Sequence, residues 1–110
     1  FGPEPLEPLE LMCRAWPVLS ADAVAPMFDG FFEIIGLASV GKSPYNELAP
    51  LLLNDWIEWL VPRVKSTDIA QRRAIAASVV AQLDGLLMVR RIAGADIALS
   101  GAQALGIAPL

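Results

Sequence analysis

The 110-residue sequence contains no histidine and a single cysteine, Cys13. Without histidine, Ser-His and Cys-His nucleophilic dyads are excluded, and with one cysteine a conventional zinc site is excluded too. A lone cysteine forms no intramolecular disulfide, which fits a reducing compartment and a cytoplasmic chain. The apolar neighbours of Cys13 point to an inert core thiol, since a reactive one wants a nearby base or a helix N-terminus. No glycine-rich run of the GxGxxG or P-loop kind is present to cradle a phosphate. No cofactor and no metal are therefore expected.

Long apolar runs are missing as well. The hydrophobic fraction is 55% and the mean hydropathy +0.54, yet no stretch reaches the ~18 uninterrupted apolar residues of a spanning helix. Gln82 and Asp84, Asp55 and Glu58, and Asp29 and Glu33 break the best candidates. A soluble chain with no membrane partner is expected, and its apolar surplus favours either an oligomer or a ligand cavity. The N-terminal FGPEPLEPLE is acidic and proline-bearing, with no basic segment leading into an apolar one, so no signal peptide is expected.

Positive charge is scarce. Eight bases face twelve acids, a net charge of −4, which argues against this chain contacting nucleic acid directly. The imbalance is local: residues 1–61 hold nine acids and two bases, residues 62–110 six bases and three acids. The simplest role for Arg63, Lys65, Arg72 and Arg73 is to neutralise the acidic half across the fold.

What the sequence does contain is helical periodicity, over one domain spanning residues 1–110. The chain is organised around the stretch from Thr67 to Gly94. At about 100° per residue, Ala70, Ala74, Ala77, Ala81, Gly85, Met88 and Ile92 fall on one line. Ile69, Ala76, Val79, Val80, Leu83, Leu86 and Leu87 fall on the other side. Thin polar ribs run between them, Arg73, Asp84 and Arg91 on one edge, Gln71 and Gln82 on the other. One apolar stripe suffices for a surface helix, so the second asks for a second packing partner. That partner is either more of the same chain, wrapping the helix on both sides, or another subunit. Asp68 with Gln71 forms a capping box and Gly94 a C-terminal stop.

Four further helices are expected. Residues 5–19 place Leu6, Leu9, Met12, Cys13 and Trp16 on one face, ended or kinked by Pro17. Ser20 is the candidate N-cap of a helix reaching about Val40, with Pro26 either starting or bending it. A third runs from Ser43-Pro44 to about Val64, bent or delayed by Pro50, with Leu48, Leu52, Leu53, Trp56, Ile57, Trp59 and Leu60 inward. A short one spans Asp96 to Leu105, where Ile97, Ala98, Gly101, Ala104 and Leu105 make a small apolar face. The class is all-α, a bundle of about five helices.

Of chemistry, only carboxylates remain. Asp29 with Glu33, and Asp55 with Glu58, sit at spacings that share a helix face, but opposite the apolar arcs, where pairs are usually solvated; no enzyme is expected. Trp16, Phe28, Phe31, Phe32, Trp56 and Trp59 come from three helices whose buried faces should meet. They form either an apolar cavity between helices or a fully packed core.

The segment AASVVAQLDGLLMVRRIAG (Ala76 to Gly94), with Leu83-Asp84-Gly85-Leu86, the following ADIALSGAQAL, and the helix PMFDGFFEIIGLAS with Phe31-Phe32-Glu33 together resemble the C-terminal ligand-binding and dimerisation domain of TetR-family transcriptional regulators. The likeness extends to the order of five helices and covers most of the chain. It implies that the last two helices pair with their copies in a homodimer as a four-helix bundle, through Ala74, Ala77, Ala81, Gly85, Met88, Ile92, Ile97, Gly101, Ala104 and Leu105. It also implies a small lipophilic effector between the first three helices and the long one, against Trp16, Phe28, Phe31, Phe32, Ile35, Leu52, Trp56, Trp59, Leu60, Val79 and Leu83. That family begins with a helix-turn-helix domain, which this sequence lacks. DNA would be reached only through such a domain, and the chain is expected to be a fragment of a longer regulator or a protein without DNA-binding capacity. The alternative function is a stand-alone helical interaction module with no small ligand.

Overall fold

A computed structural model describes residues 4–110. Phe1, Gly2 and Pro3, the start of the segment read as lacking a signal peptide, lie outside the described residues. The described chain forms an all-α bundle of five α-helices: α1 (Pro8–Leu19), α2 (Ala25–Ser39), α3 (Tyr45–Leu60), α4 (Ile69–Ala93) and α5 (Ala95–Ala104). Short 3-10 turns stand at Asp22–Val24 and Val61–Arg63. No helix among these residues is long and apolar enough to cross a membrane.

α4 begins at the expected N-cap, but the capping box is not closed by Gln71: the Asp68 N–H is given to Ser66 Oγ at 3.4 Å. Asp68 has extended backbone, and its Oδ1 accepts the Ala70 N–H at 2.9 Å, satisfying one of the free donors of the first turn. Gly94, at φ 111°, ends the helix in a conformation that side chains rarely adopt. Ala76, Val79, Val80, Leu83, Leu86 and Leu87 are buried. They form the centre of a core completed by Leu11, Met12, Ala15 and Trp16 of α1, Phe28 of α2, Leu60 of α3, and Ala98 and Ala102 of α5. Ile69, expected on the same stripe, is exposed because it lies in the first turn, beyond the reach of the other helices.

Several expected boundaries move. The first helix starts at Pro8 rather than residue 5. Leu6 is engaged elsewhere, donating its N–H to Arg63 O and accepting from Lys65 N–H, both at 2.9 Å, in a parallel bridge to Val64. Proline suits a first helical position, where the missing N–H has no partner to lose, and it holds the preceding Glu7 extended. The helix then passes Pro17 and ends at Leu19. Its buried face is Leu11, Met12, Ala15 and Trp16, rotated from the expected one: Leu9 is exposed, and Cys13 is half-buried with its thiol donating to Gly106 O at 3.2 Å.

Ser20 does not cap α2. Its hydroxyl and its N–H both bond Trp16 O, closing the end of α1. α2 starts at Ala25, which puts Pro26 in the first turn, where it obstructs no earlier carbonyl. α3 passes Pro50 and stops at Leu60, before Pro62, with the chain tightening into the 3-10 turn. After α5, Gly106 turns the chain at φ 77°, and Ile107 and Ala108 return to the core, their N–H groups bonding Ala102 O.

Replacing Asp68 by alanine leaves the first-turn donors of α4 without their side-chain acceptor. The expected loss is about 1 kcal/mol of unfolding free energy with unchanged helix content in the folded state, measurable by urea denaturation followed by circular dichroism.

Candidate ligand cavity and exposed helix face

α1, α2 and α3 converge on α4 without filling the space between them. A cavity of about 370 Å³ remains, within the range typical of small-molecule sites. The large rings of α2 and α3 pack chiefly against their own neighbours: Phe31 and Phe32 meet edge-on at 5.6 Å between centroids, and Trp56 and Trp59 lie tilted at 5.7 Å. The aromatic set divides between the two readings: Phe28, Phe31, Trp56 and Trp59 border the cavity, whereas Trp16 is packed in the core and Phe32 lies against it.

Seven of the residues expected at a ligand share its wall: Phe28 and Phe31 from α2, Leu52, Trp56, Trp59 and Leu60 from α3, and Leu83 from α4. Four stand elsewhere. Trp16 and Val79 are buried in the core, Ile35 is half-buried on α2, and Phe32 borders a separate cleft of about 20 Å³ beside Arg90 and Arg91. The sequence reading missed Leu11, Ala15, Val18 and Leu19 of α1 and Met27 of α2. Val18 and Leu19 follow Pro17, where the helix was expected to end or kink; Leu11 and Ala15 belong to the rotated face. Three wall residues are well exposed, Val18 at 55%, Met27 at 63% and Trp59 at 42%, so the cavity opens between the end of α1, the start of α2 and the end of α3.

The polar rib of α4 forms a partly solvated seam with α2 and α3. Arg73 pairs with Glu58 and donates to Asn54 Oδ1 at 2.6 Å on α3, and Arg91 donates to Asp29 on α2 at 2.6 Å. Between them, Asp84 Oδ1 accepts the indole N–H of Trp56 at 3.3 Å. Arg90 adds a bond to Asp22 at 2.6 Å, and Lys65 faces Glu7 at 3.9 Å. Lys65, Arg73, Arg90 and Arg91 thus meet acids of the first half, whereas Arg63 and Arg72, expected to do the same, donate to the backbone carbonyls of Trp59 and Ser66. These surface pairs contribute little stability individually, but they fix where α4 lies against the α2–α3 pair.

Asp84 is the one acid on the seam facing a neutral donor instead of a cation. Burial pushes its carboxyl above the usual range, and the Trp56 hydrogen bond offsets this only partly. The folded protein therefore holds the Asp84 proton more tightly than the unfolded chain does. Stability from this group is greatest below the ordinary carboxylate pKa and is lost as pH rises through the raised value. Asp84→Asn keeps an acceptor for Trp56 without a charge to desolvate. It is expected to be at least as stable as the parent at neutral pH, with the difference closing towards pH 4 in thermal melts.

The second stripe of α4 is left largely uncovered by the other described residues. Ala74, Ala81, Met88 and Ile92 are exposed, Met88 at 52% and Ile92 at 80%, while Ala77 and Gly85 are partly buried. Among the described residues, α4 is therefore packed on one side only. The apolar residues of α5 divide: Ile97, Ala104 and Leu105 are exposed beside the stripe, whereas Ala98 and Ala102 face α4. Gly101 belongs with the inner set, because a Cβ there would stand 3.3 Å from the Leu86 side chain of its own chain. Its role is close approach of α5 to α4, not contact with a second subunit.

The carboxylate pairs lie at the surface: Asp29 and Glu58 are held by arginines, and Glu33 and Asp55 are exposed. Among the described residues, no cluster of three or more His, Cys, Asp or Glu stands where it could hold a metal ion. Comparisons with protein-family models, with curated proteins and with solved structures found no match for the chain.

Proposed function

We propose that this chain is the effector-sensing and dimerisation domain of a TetR-like transcriptional repressor. A small, mostly apolar molecule occupies the cavity, and α4 with α5 pairs with its copy as a four-helix bundle. The observation that carries the reading is that one helix forms both a cavity wall, through Leu83, and an uncovered apolar stripe, through Gly85, Met88 and Ile92. Binding at the first would bias the geometry of the second, and operator DNA would be contacted through a helix-turn-helix segment outside this sequence. The exposed stripe equally suits a helix of another protein, which keeps the interaction-module reading as the alternative.

Sedimentation equilibrium across the micromolar range separates the two. A reversible dimer is expected, and a strict monomer removes the homodimer. Gly85→Leu sharpens the test, since among the described residues nothing outside the adjacent turns of α4 lies within 4 Å of the added Cβ, and leucine favours the helix. Monomer stability should hold or rise while each substituted site costs the dimer roughly 1–3 kcal/mol through overpacking. For the cavity, the neutral fluorophore N-phenyl-1-naphthylamine should bind with enhanced emission and be displaced by small lipophilic molecules. Absence of any saturable signal would leave the ligand-sensing half of the reading without support.

A further inference from the structure

We propose that the cavity takes an amphipathic monocarboxylate, an apolar body bearing one anionic head, and that Arg63 receives the head at the mouth. The inference rests on the ligand-binding reading above and specifies its ligand class. The cavity wall is made of aliphatic and aromatic side chains. The indole N–H of Trp56 is already given to Asp84. A polar group deep in the cavity would lose its water without finding a partner, so a polar group is tolerated only where the cavity meets solvent.

At that opening stands Trp59, and over its ring lies the guanidinium of Arg63, 3.7 Å from the centroid. Nη1 of Arg63 also donates to the Trp59 carbonyl. These two contacts hold a half-buried cation against Trp59, a residue of the cavity wall, although Arg63 itself does not line the cavity. Arg73, Arg90 and Arg91 each face a carboxylate across the fold, but among the described residues Arg63 has none within ion-pair distance. A cation left without a counter-ion in a chain of net charge −4 is a matched partner for an incoming anion. Its planar fork also suits a carboxylate better than an ammonium would. Asp84, behind Trp56, disfavours an anion pointing inward and so sets the same orientation.

The test is a tryptophan-fluorescence titration of the full chain with decanoate and with decanol at neutral pH, on the parent, Arg63→Gln and Arg63→Lys. The expected result is a decanoate-to-decanol affinity ratio that falls about tenfold in Arg63→Gln, with decanol affinity unchanged and part of the ratio kept in Arg63→Lys. Raising salt should shrink the ratio in the parent and not in Arg63→Gln. A ratio unaltered by Arg63→Gln overturns the head-group assignment and leaves the cavity reading standing. A parallel loss of both affinities also overturns it, because Arg63 would then only be holding Trp59 in place. Binding of neither compound to the parent overturns this inference together with the reading on which it rests.

Discussion

The fold depends on the buried stripe of α4. Ala76, Val79, Val80, Leu83, Leu86 and Leu87 give one straight surface to which α1, α5 and the terminal Ile107-Ala108 turn adhere, with Phe28 and Leu60 completing the contact from α2 and α3. The stripe grades in size. Towards α5 the approach is close, made by Ala98, Gly101 and Ala102. Towards α2 and α3 the partners include the large rings of Phe28, Phe31 and Trp56 beside Leu60, and here the helices stand around the cavity. The cavity follows from that contrast: small residues close one flank of α4 and large ones hold the other open.

Charge then fixes what apolar packing leaves free. Dispersion and burial specify that α4 lies on the α2–α3 pair but tolerate sliding along it, since one leucine position resembles the next. Arg73 with Glu58, Asp84 with Trp56 and Arg91 with Asp29 mark three heights along the helix. The uneven division of acids and bases between the two halves of the chain is the sequence trace of this seam. Its middle member carries no cation, and that is where the seam touches the cavity wall through Trp56.

The order and number of the helices were legible because the strongest boundaries have local causes. Asp68 and Gly94 bracket α4 by capping and by backbone freedom, and Gly41, at φ 75°, follows α2. The phase of α1 was not legible. Leu6, Leu9, Leu11, Met12, Cys13, Ala15, Trp16, Val18 and Leu19 are more apolar positions than one helix can bury, so periodicity admits several faces. The choice was made by the Leu6 bridge to Val64, a contact between segments distant in sequence. The same excess hid the four wall residues of α1, Leu11, Ala15, Val18 and Leu19. The polar rib was visible as a pattern, but whether it faced water or α2 and α3 depended on how neighbouring helices lie, which periodicity within one helix does not contain.

The geometry of α4 also constrains how a cavity and an exposed face on it could communicate. Leu83 and Gly85 are two residues apart, about 200° around the axis, so cavity wall and outer stripe are nearly opposite sides of the same turn, about 10 Å apart. Between Arg73 and Arg91 the helix runs about 27 Å, tied to α3 near one end and to α2 near the other. A body entering the cavity bears on the middle of that span, at Leu83 and, through Trp56, at Asp84. A rod tied at both ends and pressed at its centre bends or rolls more readily than it slides. On the proposed reading, then, occupancy reaches the stripe as a change of tilt and curvature beside Gly85 and Met88, the small-residue stretch where a second helix would lie closest. The same linkage runs in reverse: a second subunit that straightens α4 changes the affinity of the cavity by the same factor.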